Sequence, residues 1–270
     1  MKPWILALLS CSEPRPLAEP ADPPPAYPLT FETYPSPELP PLPEPEPEPT
    51  DPLAEVPDAE PPEQLKDWPI PYGRVRERLT MDYLAAHVGQ DYISGVPALD
   101  SRMTPRVVVL HWTGNGYLKS AWFTFQPERR PRRPDLQGAK ALNLSVHFIV
   151  DRDGTIYRIM DEDRVGRHTI GLNHLSIGVE NIGDGDRWPL TEAQVQSNID
   201  LLRYLKTRFP SITHVIGHYE YRAFENAGHD YFQEHDTRRR TRKIDPGEPF
   251  MAAVRAGLQD LPLLGPPESE

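Results

Sequence analysis

The sequence predicts an α/β domain: a single domain with a central mixed β-sheet flanked by helices, preceded by a disordered proline-rich segment. The first observation is the run Val107-Val108-Val109-Leu110, which ends in His111 and is followed by Thr113, Gly114, Asn115 and Gly116. Four apolar residues, three of them β-branched, suit a strand buried on both faces, and the turn formers mark its carboxyl end. The second is that short apolar runs alternate with helical patterns through the rest of the chain. The third is a change of composition. Residues 12–64 hold 19 of the 34 prolines, with 13 acidic side chains and one basic, whereas residues 65–270 hold 27 of each sign. The net charge of -11 therefore belongs to the leading segment and says nothing about the domain's ligand. About 200 residues remain for one domain with a sizeable core.

In order, Met1 to Cys11 carries one positive charge (Lys2), a short apolar run and a small residue before cysteine, the grammar of an export signal. Leu8-Leu9-Ser10-Cys11 resembles the bacterial lipobox, which makes Cys11 the expected lipidation site. As the sole cysteine, it also excludes a disulfide within the chain. Ser12 after Cys11 favours the outer membrane by resemblance to bacterial sorting rules. Residues 12–65 have no apolar periodicity and predict an extended acidic spacer, about 3 Å per residue, between a lipid anchor and residues 66–265.

Within the domain, Thr80 to Val88 reads as a short helix with Thr80 as N-cap and Gly89 as its stop. Tyr117 to Gln126 is aromatic, suited to a helix or to covering a groove. Ser145–Val150 and Thr155–Met160 flank Asp-Gly and read as a hairpin. Ser176–Asn181 is a further strand. Thr191-Glu192-Ala193-Gln194 has the capping-box pattern, and Val195, Ile199, Leu202 and Leu205 follow on one helical face. Thr213 to Gly217 is a brief strand that delivers His218. Glu220 to Arg242 is long, polar and suited to a groove wall. A last helix spans about 249–259.

His111 and His218 each end a strand, and Asp245 sits in a turn before the last helix. Two neutral imidazoles and one carboxylate leave a fourth position open on a tetrahedral zinc ion, the catalytic arrangement. Such a site also needs a carboxylate to move a proton, for which Glu180 is the candidate, and a cation for the developing oxyanion, for which Lys243 is the candidate. By residue type alone, Glu180 reads as a surface carboxylate. Lys243 closes an arginine-rich run that equally suits a solvated loop, and the three ligand candidates share no local spacing.

Residues 106–260 resemble the zinc-dependent N-acetylmuramoyl-L-alanine amidases of the type 2 amidase and peptidoglycan-recognition superfamily. The matching pieces, in order, are Val108–Thr113, His147–Ile156, Val165–Glu180, Gly217-His218 and Lys243–Gly247. The resemblance implies Zn2+ held by His111, His218 and Asp245, Glu180 as base, Lys243 as transition-state stabiliser and His168 as a substrate-facing histidine. His147 should point into the core. Asp245, where many members carry cysteine, and Glu180 side with the anhydro-muropeptide branch. Val146 stands where many members carry tyrosine.

The expected function is hydrolysis of the amide between N-acetylmuramic acid and L-alanine, by an exported lipoprotein at the periplasmic face of the outer membrane. Its expected partners are peptidoglycan or muropeptides and a membrane reached through the lipid. The alternatives are a non-catalytic peptidoglycan-binding module, which predicts a broken ligand set, and a zinc peptidase cutting within the stem peptide. The usual His-Glu-x-x-His helix of such peptidases is absent from the sequence. A neutral domain with only a local arginine cluster gives nucleic-acid binding no support.

Overall fold

The computed structural model describes residues 59–94, 100–132, 134, 137–236 and 240–268. Six strands form one mixed sheet: β1 (Leu65–Asp67), β2 (Val107–Trp112), β3 (Phe148–Val150), β4 (Ile156–Arg158), β5 (Ser176–Asn181) and β6 (His214–Gly217). Their order is β1-β4-β3-β5-β2-β6, and β3 and β4 form the one antiparallel pair. The helices are α1 (Arg74–His87), α2 (Gln90–Ser94), α3 (Leu118–Phe125), α4 (Glu192–Arg208), α5 (Arg222–Asn226) and α6 (Glu248–Ala256). Among the described residues, no helix is long and apolar enough to cross a membrane. The expected export signal, with Cys11, and most of the acidic spacer lie outside the described residues.

β2 is the centre of the sheet because it can be buried twice over. Its parallel partners are β5 on one side and β6 on the other, and Val107 to Leu110 are fully buried. Alternation then sorts its side chains. Val108 and Leu110 join Ile177, Val179, Phe148 and Val150 in a core closed by Leu202 and Leu205 of α4 and Met251 and Val254 of α6. Val107 and Val109 face the other way, packing with Leu172, Ile216, Tyr221 and Phe224. His111, in step with Val107 and Val109, is carried to this second face.

Local signals read from the sequence operate as expected in several places. The Asp-Gly hairpin closes through Asp151 N–H donating to the Thr155 carbonyl, with Gly154 at φ +89°, a conformation costly for other residues. α4 begins with a reciprocal capping box: Thr191 Oγ1 accepts from the Gln194 amide, and Gln194 Oε1 accepts from the Thr191 amide. The Gln194 side chain also donates to the carbonyls of Val150 and Ile182, pinning the helix start to the ends of β3 and β5.

Two expectations need correction. The first helix starts at Arg74, not Thr80, because Glu128 caps it from a distant loop: its Oε1 accepts from the amides of Gly73 and Arg76. Thr80 lies mid-helix, donating to the Arg76 carbonyl. The stop at Gly89, whose φ is +132°, is as expected. The described part of residues 220–242 does not wall the cleft. Its Tyr221 and Phe224, with Tyr231 and Phe232 beside them, cover the lower part of the second sheet face. The apolar face is closed there by four aromatics, Phe224 on α5 and the others in the segments beside it, whose spacing follows no single period.

Candidate active site

The carboxyl ends of three adjacent parallel strands meet in a cleft of about 410 Å³, lined in part by His111, His168, Glu180, His218, Lys243 and Asp245. All six candidates named for the domain thus come together. The parallel pairing explains much of this. His111 and Glu180 are register partners on β2 and β5, so both side chains emerge side by side on one face. β6 ends one residue before His218, which a single turn of 3-10 helix directs toward His111. Asp245 is anchored by its own carbonyl, which accepts from the Tyr219 amide at 3.0 Å.

His111 Nδ1 and His218 Nδ1 lie 2.9 Å apart. Asp245 Oδ2 is 2.9 Å from the second nitrogen and 3.3 Å from the first. Tetrahedral zinc with bonds of 2.0–2.1 Å holds its ligands roughly 3.3 Å apart, so the donor set has the size of such a site. Protons fit the triangle poorly. Each neutral imidazole has one N–H, and two nitrogens facing each other cannot both carry theirs. A single cation satisfies all three edges, and these residues fit one.

The surroundings support the charges this requires. Burial pushes Asp245 upward, but the adjoining imidazoles of His111 and His218 outweigh it and hold the carboxyl well below the usual range. Burial, then the neighbouring His111, lowers His218 to about 4 against the opposing pull of Asp245. Both shifts favour a carboxylate beside a neutral imidazole, the ligand forms a metal requires. Glu180 goes the other way: burial raises it to about 7, helped by Asp245 and opposed by His111 and Lys243.

His168 lines the cleft, yet both ring nitrogens have protein partners: Nδ1 is 3.1 Å from His111 Nε2, and Nε2 is 3.2 Å from the Ser176 carbonyl. His147 is fully buried, as expected. Its Nδ1 accepts from the Gly178 amide and its Nε2 donates to the Arg164 carbonyl, and burial lowers it to about 4. Val146 is buried at the cleft wall and offers no hydroxyl.

Sequence reasoning missed the asparagines beneath the site. Asn198 of α4 donates to Asn181 Oδ1 at 2.7 Å, and Asn181 donates to the His111 carbonyl at 3.1 Å. A signal was present: Asn181 alternates with Glu180, so it must enter the apolar core, where a polar group needs partners. Arg167, Asn115, Thr124 and Leu144 also line the cleft. They sit in loops or on a helix flank, where no pattern singles them out.

Fold and site together define an α/β protein with a two-histidine, one-carboxylate centre at the carboxyl ends of parallel strands. Residues 101–248, more than half of the chain, match the family described as N-acetylmuramoyl-L-alanine amidase, and the chain belongs to that family. It is 41% identical to the endolysin of Escherichia phage T7 over 73 residues, 25% of this chain and 48% of that protein. The endolysin of Klebsiella phage KP32 is 38% identical over 73 residues, with the same coverage. The chain thus spans about half the length of these relatives. Among solved structures, a selenomethionine AmpD derivative is 22% identical with a TM-score of 0.44, covering 72% of this chain and 94% of that one. The amidase LysC from Clostridium intestinale is 24% identical with a TM-score of 0.42, covering 59% and 89%.

Proposed function

We propose that this chain hydrolyses the amide between the lactyl group of N-acetylmuramic acid and L-alanine in peptidoglycan, and that it does so with zinc. The observation that carries the reading is the convergence of His111, His218 and Asp245, with Glu180 beside His111 in the same cleft. Family membership supplies the identity of the bond.

His111, His218 and Asp245 would hold the ion. When bound, zinc polarises a carbonyl and makes water acidic enough to yield hydroxide near neutral pH. The remaining work belongs to the chain. Glu180 takes the proton from the attacking water and returns it to the leaving amine of L-alanine, which must depart protonated. A pKa poised near neutrality suits both halves of that task. Lys243, on the cleft wall, meets the oxyanion that develops on the lactyl carbonyl.

The test is mass spectrometry of fragments released from purified cell wall, with zinc content measured on the same protein. Stem peptides beginning at L-alanine, from a protein with one zinc, are expected. Cleavage inside the stem peptide, or binding without turnover, would sink the reading. We propose also that the chain is an exported lipoprotein, on the strength of residues 1–12 alone. Radiolabelled fatty acid should be incorporated into the wild type and not into Cys11→Ser.

A further inference from the structure

We infer that His168 is a positioning residue for His111: it fixes which nitrogen of His111 is free to bind metal, rather than facing the substrate. The inference rests on the zinc reading above.

The hydrogens are assigned from the core outward. His168 Nε2 is 3.2 Å from the Ser176 carbonyl, which can only accept, so that nitrogen carries the hydrogen. No carboxylate is among the hydrogen-bond partners of this ring in the described residues, so nothing there favours a second proton. Nδ1 is then bare and can only accept. It faces His111 Nε2 at 3.1 Å and Thr169 Oγ1 at 3.0 Å; the hydroxyl can turn to either role, but two bare ring nitrogens at that distance would repel, so His111 Nε2 carries its hydrogen toward His168. With its hydrogen on Nε2, neutral His111 leaves Nδ1 bare, and Nδ1 is the atom that points at His218 and Asp245. A donating partner at this place would invert the chain and put a hydrogen where the ion belongs. Imidazole ligands characteristically have their second nitrogen engaged in this way.

The same geometry explains a glycine in the middle of a central strand. A Cβ on Gly178 would lie 2.8 Å from Cγ of His168 and 2.9 Å from its Nδ1 and Cδ2. Gly178 sits two residues before Glu180 on the same face of β5, the position over which the His168 ring is laid. Interior strand glycines often mark such a close approach. Thr169 Oγ1, 3.0 Å from His168 Nδ1 and 3.5 Å from His111 Nε2, borders the same contact. His168 and Gly178 therefore act as one unit, an imidazole and the space it needs.

The experiment measures zinc affinity by chelator competition, and KM at saturating zinc, for the wild type, His168→Leu, His168→Gln and Gly178→Ala. Leucine keeps the bulk and removes the acceptor, and zinc should bind about 10- to 100-fold more weakly. Glutamine can accept from His111 and donate to Ser176, and should recover most of that loss. Gly178→Ala, which displaces the ring without touching a ligand, should weaken zinc in the same direction as His168→Leu. KM should be unchanged throughout. A raised KM with unchanged zinc affinity overturns the inference and restores a substrate-facing histidine. If His168→Leu does not fold, nitrogen-15 NMR of the zinc-loaded wild type decides. Hydrogens on Nε2 of both His111 and His168 are expected, and a hydrogen on Nδ1 of His168 refutes the inference. A wild type that binds no zinc removes the metal reading and this inference together. Intact zinc binding with no effect of His168 removes the inference alone.

Discussion

The two faces of the sheet are made from alternate residues of the same strands, yet they do different work. On one, Leu110, Ile177, Val179 and Phe148 meet α4 and α6 in an apolar core. On the other, one residue out of step, the same strands or the turns just beyond them carry His111, Glu180, His147 and His218, and His168 lies against them. Burial on the first face releases water from apolar surface and stabilises without direction. Burial on the second desolvates polar groups, so each needs an assigned partner, and the shifted pKa values record where charge is favoured or suppressed. Damage to the first face should therefore cost stability and leave the chemistry of folded molecules intact. Damage to the polar, carboxyl-terminal end of the second should do the reverse.

The sharpest contrast is expected for Asp245→Ala. Losing the one anionic ligand should abolish tight zinc binding and lower amidase turnover on the order of 10³-fold or more, with the fold retained. Full activity of this variant would break the comparison at its centre. Glu180→Gln keeps shape and leaves the three ligands in place, so zinc should stay bound while turnover falls about 10²- to 10⁴-fold. On the other face, Leu205→Ala should lower unfolding free energy by about 2–5 kcal/mol, read from urea denaturation, with turnover per folded molecule unchanged. Thr191→Ala, which removes half of the capping box, should cost about 1 kcal/mol by the same measurement.

The smallest effect concerns pH. In the metal-free protein, Glu180 is raised from 4.5 to about 7. Between those values the folded state holds a proton that the unfolded state has released, so this group's contribution to stability falls as pH rises. His218, lowered from 6.5 to about 4, contributes in the opposite direction over an overlapping window. The informative quantity is thus the difference between the wild type and Glu180→Gln. The variant should gain on the wild type from pH 5 to pH 7, and parallel curves would show that Glu180 is not desolvated.

The first face was largely legible in the sequence, because its signals are local. The Val107–Leu110 run, the Asp-Gly turn and the Thr191 capping box each act within a few residues. The start of α1 was not legible, since its cap comes from Glu128, more than 50 positions away. β1 went unseen because a three-residue edge strand, Leu65–Asp67, carries no alternation long enough to detect. The site was legible as a set of residue types, to which family resemblance attached expected roles. The distances were not, because the pairing of β2 with both β5 and β6 sets them. His168, assigned to the substrate by resemblance, has a ring that bonds the Ser176 carbonyl and lies over Gly178, contacts that no sequence pattern announces.

The pairing of His111 with Glu180 across β2 and β5 also constrains how this protein can change. A strand alternates strictly, so inserting or deleting one residue between Ser176 and Glu180 would turn the carboxylate into the oily side of the sheet and bring Val179 to the water. Conservative exchanges along β5 leave that parity alone. Away from Gly178, drift in this strand can therefore proceed by substitution, whereas a change of length would end the chemistry at once.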